Sequence, residues 1–296
     1  MKKPTIGFIG LGMMGAAMVQ CLQKKGYQVN VIANRSRTQI DKAVERGAIE
    51  MKTTSSLTKA SDIIMLCMDT SASVEKRIYG DDGILNALDN SQIVIDFGTS
   101  LPESTKKISS DIHNKGGAFL DAPLGRTPAH AVDGLLNIMC SGDKAAFDQV
   151  KPILNDLGEN IFYLGASGSG HAIKLINNFF GMTLASAMSE AFAMGDKAGI
   201  DRQKLYEVMS AGPLHSMMMD LVKAYAVDGD ISKLEFSVKN ASKDVGYVLS
   251  MTENMEFQSF IAPATANLLS QATEAGYGEN DVPAILDYLN SKNKAA

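Results

Sequence analysis

The stretch from Thr5 to Met18, TIGFIGLGMMGAAM, limits what this chain can fold into more than any other. Ile6, Phe8 and Ile9 read as a buried strand, and the residues from Met13 onward read as a helix. Between them Gly10, Gly12 and Gly15 stand at G-x-G-x-x-G spacing. In a strand–turn–helix of this kind the first glycine makes a sharp turn and the second removes a Cβ that would block a pyrophosphate. The third lets helix and strand pack closely. The free amides of the helix N-terminus then face the anion. A glycine-rich turn is often only structural. Here the strand before it and the helix after it favour a dinucleotide site lined by Gly10, Leu11, Gly12, Met13 and Met14.

The alternation continues down the chain. Residues 27–32 alternate as a second strand, and a right-handed crossover makes it parallel to the first. Further strands are expected at 63–68, 93–95, 118–120, 136–140 and 161–164, with helices at 37–46, 71–79, 102–115 and 142–157. This spacing specifies an α/β fold, a doubly wound and mainly parallel sheet over residues 1–164, with ligand at the carboxyl ends of its strands. From residue 165 to 296 no strand is expected. Helices at 174–197, 202–210, 217–227, 238–253, 262–275 and 282–290 make an all-helical second domain. The first of them, apolar on several faces, should be buried among its neighbours, and only residues 291–296 look frayed.

Composition removes several functional classes. A formal net charge of -5 gives no general attraction to nucleic acid or anionic lipid, so an anionic partner must be met by a locally built site and is expected to be small. No apolar run approaches a membrane span, and the run after Lys2-Lys3 is broken by glycines; neither membrane span nor signal peptide is expected, and a cytoplasmic location follows. Cys21, Cys67 and Cys140 are scattered in apolar surroundings, as buried thiols of a reducing compartment would be, and no metal site is expected.

At the end of the second strand, where an acid would bond the ribose 2′-hydroxyl of NAD, the chain carries Asn34-Arg35-Ser36 and Arg37, with no acid before Asp41. A 2′-phosphate fits such a segment better, which favours NADP over NAD; a plain basic turn is the alternative.

Three further segments hold polar residues that a core would not choose. In the loop Gly125-Arg126-Thr127, Arg126 is the only charged side chain between Asp121 and Asp133. It is either a surface arginine or, with the loop amides, a clamp for carboxylate or sulfonate. Lys174, Asn177 and Asn178 follow i, i+3, i+4 spacing and share a helix face. Asparagine is a poor helix former, so the pair implies either a buried polar network or a catalytic lysine flanked by orienting amides. In the third, Phe236 with Lys239, Lys243 and Asp244, the two lysines at i, i+4 read, taken alone, as a solvated face.

Together these motifs resemble the β-hydroxyacid dehydrogenases. The residues that carry the resemblance are Phe8-Ile9-Gly10-Leu11-Gly12-Met13-Met14-Gly15 with Met18, Asp121-Ala122-Pro123, Gly168-x-Gly170-x-x-x-Lys174-x-x-Asn177-Asn178, Ser189-Glu190-Ala191, and Phe236 with Lys243-Asp244. The match runs the whole length, in order. It implies a Rossmann domain, a helical domain, a homodimer or homotetramer built through the long helix, and hydride transfer between NAD(P) and a short 3-hydroxy acid or semialdehyde. By the same resemblance Lys174 is the general acid/base, Asn178 helps hold the substrate and Lys243 lies near the nicotinamide.

Departures from the family pattern narrow this. The usual Ser-Gly-Gly loop is replaced by Gly125-Arg126-Thr127, which resembles the sulfolactaldehyde reductase branch, where such a loop and the first asparagine, here Asn177, grip a sulfonate. Cys67-Met68-Asp69 and Gly98-Thr99 replace the usual residues where cofactor should pass, so Cys67, Met68 and Thr99 are expected cofactor neighbours. The expected function is NAD(P)H-dependent reduction of a short anionic semialdehyde: sulfolactaldehyde first, a carboxylate semialdehyde or 3-hydroxyisobutyrate chemistry next. A dinucleotide-binding module without turnover is the alternative of another class. The altered residues at 67–69 and 98 support the module, whereas Lys174 and the asparagine pair argue for an enzyme.

Overall fold

The computed structural model describes residues 3–33 and 37–294. The chain divides into two compact units, Met1–Lys174 and Leu175–Ala296.

The first unit is built on a nine-stranded sheet: β1 (Ile6–Ile9), β2 (Val29–Ile32), β3 (Ile49–Met51), β4 (Ile63–Leu66), β5 (Ile93–Asp96), β6 (Ala118–Asp121), β7 (Leu124–Gly125), β8 (Leu136–Gly142) and β9 (Gly158–Tyr163). The spatial order is β3-β2-β1-β4-β5-β6-β8-β7, with β9 against the other side of β8. Strands β1 to β6 pair in parallel, β8 runs antiparallel to β6 and β7, and β9 is parallel to β8. Every residue of β1, β2, β4 and β5 is buried. That is why these strands read as continuous apolar runs: helices cover both faces of a parallel sheet. Two apolar layers result, one around Phe8, Met18, Leu22 and Leu154, the other around Leu57, Ile64, Ile78 and Phe119.

The α/β fold and its doubly wound, mainly parallel order are as expected. Strands β3 and β7 are additions. β3 is a three-residue edge strand, mostly exposed, so it lacks the apolar run that marks a strand in sequence. β7 is two residues long and exists because the chain after β6 continues alongside β8, with Met139 N donating to the Pro123 carbonyl at 3.0 Å. Short helices at Thr54–Lys59, Ile84–Ala87 and Pro128–Val132 are also additions, too brief to show a period.

The second unit is helical. Helices Arg202–Ser210, Met217–Ala226, Val238–Asn254, Ala262–Ala272 and Ile285–Lys294 pack around Phe192, Val222, Val245, Leu269 and Ile285. Residues 291–294, expected to fray, continue the last helix; Lys197 Nζ donates to the Asn293 carbonyl at 3.2 Å and holds it. The long helix Ser169–Lys197 begins five residues earlier than its apolar periodicity indicates. It is also less covered than expected: Ile173, Ile176, Phe180 and Met194 form an exposed stripe. No helix among the described residues is long and apolar enough to cross a membrane.

Candidate active site

The glycine turn has the shape its spacing requires. Gly10 adopts φ +100°, and a Cβ there would run into the Cys67 carbonyl where β1 and β4 end side by side. A Cβ on Gly15 would collide with the Gly10 carbonyl and lie 3.0 Å from the Phe8 ring. A Cβ on Gly12, by contrast, would meet nothing within 4 Å. Gly12 is the N-cap of helix Met13–Lys24, is extended and offers no side-chain cap, so the first amides of that helix remain open. Leu11 and Met14 are half-buried and Met13 is exposed beside this end. A cradle that only a Cβ would fill, above a bare helix N-terminus, fits a pyrophosphate.

Around it stand the carboxyl ends of β4, β5 and β6. Cys67 and Met68 follow β4, half-buried. Burial, with Asp96 nearby, pushes the Cys67 thiol up to about 12, so it is a neutral wall and no nucleophile. Asp96 closes β5, buried, its carboxylate accepting from Gly98 N and Ser100 Oγ, both at 2.8 Å; Thr99 is half-buried between them. Asn34, Arg35 and Ser36, expected at the ribose, lie outside the described residues. The neighbouring Arg37 is engaged elsewhere: its guanidinium bonds Glu50 at 2.9 and 3.0 Å and Asp41 at 2.9 Å.

Asp121 closes β6 and is completely buried. Its Oδ1 accepts from Ser141 Oγ at 2.7 Å and Gly168 N at 2.9 Å, and its Oδ2 accepts from His171 N at 3.0 Å. Ser141 Oγ accepts in turn from Gly170 N at 2.9 Å. This carboxylate and hydroxyl are the N-terminal cap of the long helix, which explains its early start. His171 is buried as well. Its Nδ1 is 2.7 Å from Thr105 Oγ1, whose own proton goes to the Leu101 carbonyl at 3.1 Å, so the ring nitrogen is the donor. Its Nε2 has no hydrogen-bond partner and lies 3.7 Å from Asp96 Oδ2. Sequence reasoning did not assign Asp96, Ser141 or His171, and it treated Asp121 only as part of a motif. For Asp96, Asp121 and Ser141 the signal that could have found them is an acid or hydroxyl near the end of an apolar strand.

One turn into that helix comes Lys174, half-buried and on the same helix face as Asn178. Asn178 lies in the second unit, buried, its Nδ2 donating to Asp244 Oδ2 at 2.6 Å. Asp244 Oδ1 is 3.1 Å from Lys243 Nζ, which sits 5.4 Å from the Tyr247 ring centroid. Lys243 is therefore not on the solvated face expected of the two lysines: it is mostly covered beside the buried Asp244, which orients Asn178. Lys239 is exposed, 3.4 Å from Glu279, and Asn177 is exposed.

The chain past Asp121 runs on through β7, beyond the carboxyl edge of the parallel strands, to Gly125-Arg126-Thr127. Arg126 has φ +77°, a left-handed conformation that costs a non-glycine residue about 1–3 kcal/mol. Its Nη1 donates to the Leu135 carbonyl at 2.7 Å and pairs with Glu159 at 2.6 Å. Thr127 Oγ1 is 2.8 Å from His130 Nδ1. Arg126 thus already holds a carboxylate, the protein's own; Glu159 was not singled out in the sequence.

Residues 5–165 match the family described as the NAD binding domain of 6-phosphogluconate dehydrogenase, and residues 168–289 the family described as NAD-binding of NADP-dependent 3-hydroxyisobutyrate dehydrogenase. The chain belongs to the 3-hydroxyisobutyrate dehydrogenase-like family. It is 30% identical over 288 residues to 3-sulfolactaldehyde reductase of Escherichia coli, spanning 96% of this chain and 95% of that protein. Against glyoxylate/succinic semialdehyde reductase 1 of Arabidopsis thaliana it is 29% identical over 282 residues, 95% of this chain and 97% of that one. A solved structure of Mycobacterium tuberculosis 3-hydroxyisobutyrate dehydrogenase superposes with a TM-score of 0.85 at 23% identity, over 97% of this chain and 99% of that one, a likeness of fold. With membership of this family comes NAD(P)-dependent oxidoreductase activity.

Proposed function

We propose that this enzyme reduces a short anionic semialdehyde to a hydroxy acid, with sulfolactaldehyde as the first substrate and a carboxylate semialdehyde such as succinic semialdehyde as the second. The observation that carries the reading is Arg126. A forked guanidinium beyond the carboxyl edge of the sheet is held by an acid that is itself half exposed, with side-chain exposures of 30% and 53%. Such an ion pair is worth only about 0–1 kcal/mol, so an arriving sulfonate or carboxylate can take the place of Glu159. Gly125 and Thr127 supply backbone beside it, and family resemblance assigns Asn177 to the anion as well.

When bound, NAD(P)H supplies the hydride. Lys174 gives a proton to the carbonyl oxygen, a role worth about 10²–10⁴ in rate. Asn178, locked by Asp244, orients the reacting end of the substrate. By family resemblance Lys243 serves the cofactor. The bare N-terminus at Met13 takes the pyrophosphate, and Arg35 selects the 2′-phosphate of NADP, since Arg37 is already paired.

The test is kcat/KM for sulfolactaldehyde and succinic semialdehyde in the parent and in Arg126→Ala. A loss of about 10²-fold or more is expected, larger for the preferred anion, as befits a charge-assisted pair. Unchanged values for both would remove Arg126 from the site. Arg35→Ala should weaken NADPH by roughly tenfold and leave NADH untouched; equal effects on both would end the NADP assignment.

A further inference from the structure

The N-terminus of the long helix is held by groups from elsewhere in the chain. Its first amides would otherwise be orphans. Three of them, on Gly168, Gly170 and His171, bond the buried pair Asp121 and Ser141 at 2.9 to 3.0 Å. The contact is also tight. A Cβ on Gly170 would lie 2.8 Å from Asp121 Oδ2 and 3.1 Å from the Asp121 carbonyl, so only glycine lets the helix end press onto β6. On the far side His171 is pinned through Nδ1 to Thr105. Lys174 follows His171 by three residues, about 4.5 Å of helix rise. Nothing flexible separates the clamp from the lysine.

We propose that Asp121 and Ser141 are positioning residues for Lys174, fixing at the carboxyl edge of the sheet the helix turn from which it projects. This rests on the reading of Lys174 as proton donor. The strand end that carries Asp121 continues directly into Gly125-Arg126-Thr127, so one rigid segment sets the origin of the helix bearing the acid and the start of the anion loop. An error of about 1 Å in such a group costs on the order of 10²-fold in rate.

Asp121→Asn keeps the size of the side chain but removes the charge and turns one accepting oxygen into an NH2 donor, so at least one clamped amide, on Gly168 or His171, loses its bond. The expected result is a kcat lower by about 10²-fold, with the cofactor Kd and the substrate KM within about threefold of the parent. Amide exchange at residues 168–174 should quicken. A variant with parental kcat overturns the proposal. So does one in which kcat, cofactor Kd and Tm all worsen together, the mark of a merely structural carboxylate. Should Asp121→Asn not fold, Ser141→Ala removes two bonds of the same clamp, from Gly170 N and to Asp121 Oδ1, and leaves the carboxylate in place. A several-fold fall in kcat at constant Kd supports the proposal, and a parental kcat overturns it. Lys174→Ala separates the two levels: retained turnover there refutes the proton-donor reading itself, whatever Asp121 does.

Discussion

Two helices of the first unit start at the carboxyl edge of the same sheet, and their N-termini are treated in opposite ways. At Met13 the cap is a glycine with no side chain and open space where a Cβ would be. At Ser169 the same kind of helix end is filled by the carboxylate of Asp121 and the hydroxyl of Ser141. Both ends carry the partial positive charge of aligned peptide dipoles, and both are suited to an anion. One is kept bare so that the anion can arrive and leave with a ligand. The other holds an anion supplied by the chain, which turns a binding site into a fixed mounting for Lys174. Arg126 with Glu159 lies between these extremes: it holds an internal anion, but an exposed one that can be exchanged.

The contrast is broken most severely by filling the open end. Gly12 has an extended backbone, φ -70° and ψ -167°, and its Cβ direction is clear, so Gly12→Asp can take up an N-cap there. The expected outcome is a gain in stability of about 1 kcal/mol, seen as a higher Tm, together with a loss of cofactor affinity of about 10²-fold or more, read by fluorescence titration. If cofactor binding survives, the bare N-terminus is not where the pyrophosphate sits. A smaller effect sharpens the intermediate case. Glu159→Gln removes the internal competitor for Arg126, and KM for an anionic semialdehyde should fall about two- to fivefold at unchanged kcat, the scale of an exposed ion pair. A raised KM would mean that Glu159 supports Arg126 and does not compete with the substrate.

Much of this was legible in the order of residues. β1, β2, β4 and β5 are buried on both faces, and burial on both faces leaves an uninterrupted apolar run, so their existence could be read directly. Gly10 and Gly15 are required by contacts only a few residues away, with the Gly10 carbonyl and Phe8. The clamp on the long helix was not legible, because Asp121 sits 47 and 50 residues from the amides it holds. Ser169-Gly170 therefore looked like the end of a loop. Lys243 read as surface because the burial of its neighbour Asp244 depends on Asn178, 66 residues away.

What the amino-acid order determined by itself is the set of features that local physics enforces: periodicity, the glycine turn, the alternation of strand and helix, and Lys174 on one helix face with two asparagines. What only the tertiary structure decided is which anion each positive group holds. Helix ends and guanidinium forks accept any carboxylate within reach, and reach is set by how strands 30 to 50 residues apart line up in the sheet. Asp121 was brought under one helix and Glu159 beside Arg126, while no side chain of the described residues was brought to the helix end at Gly12.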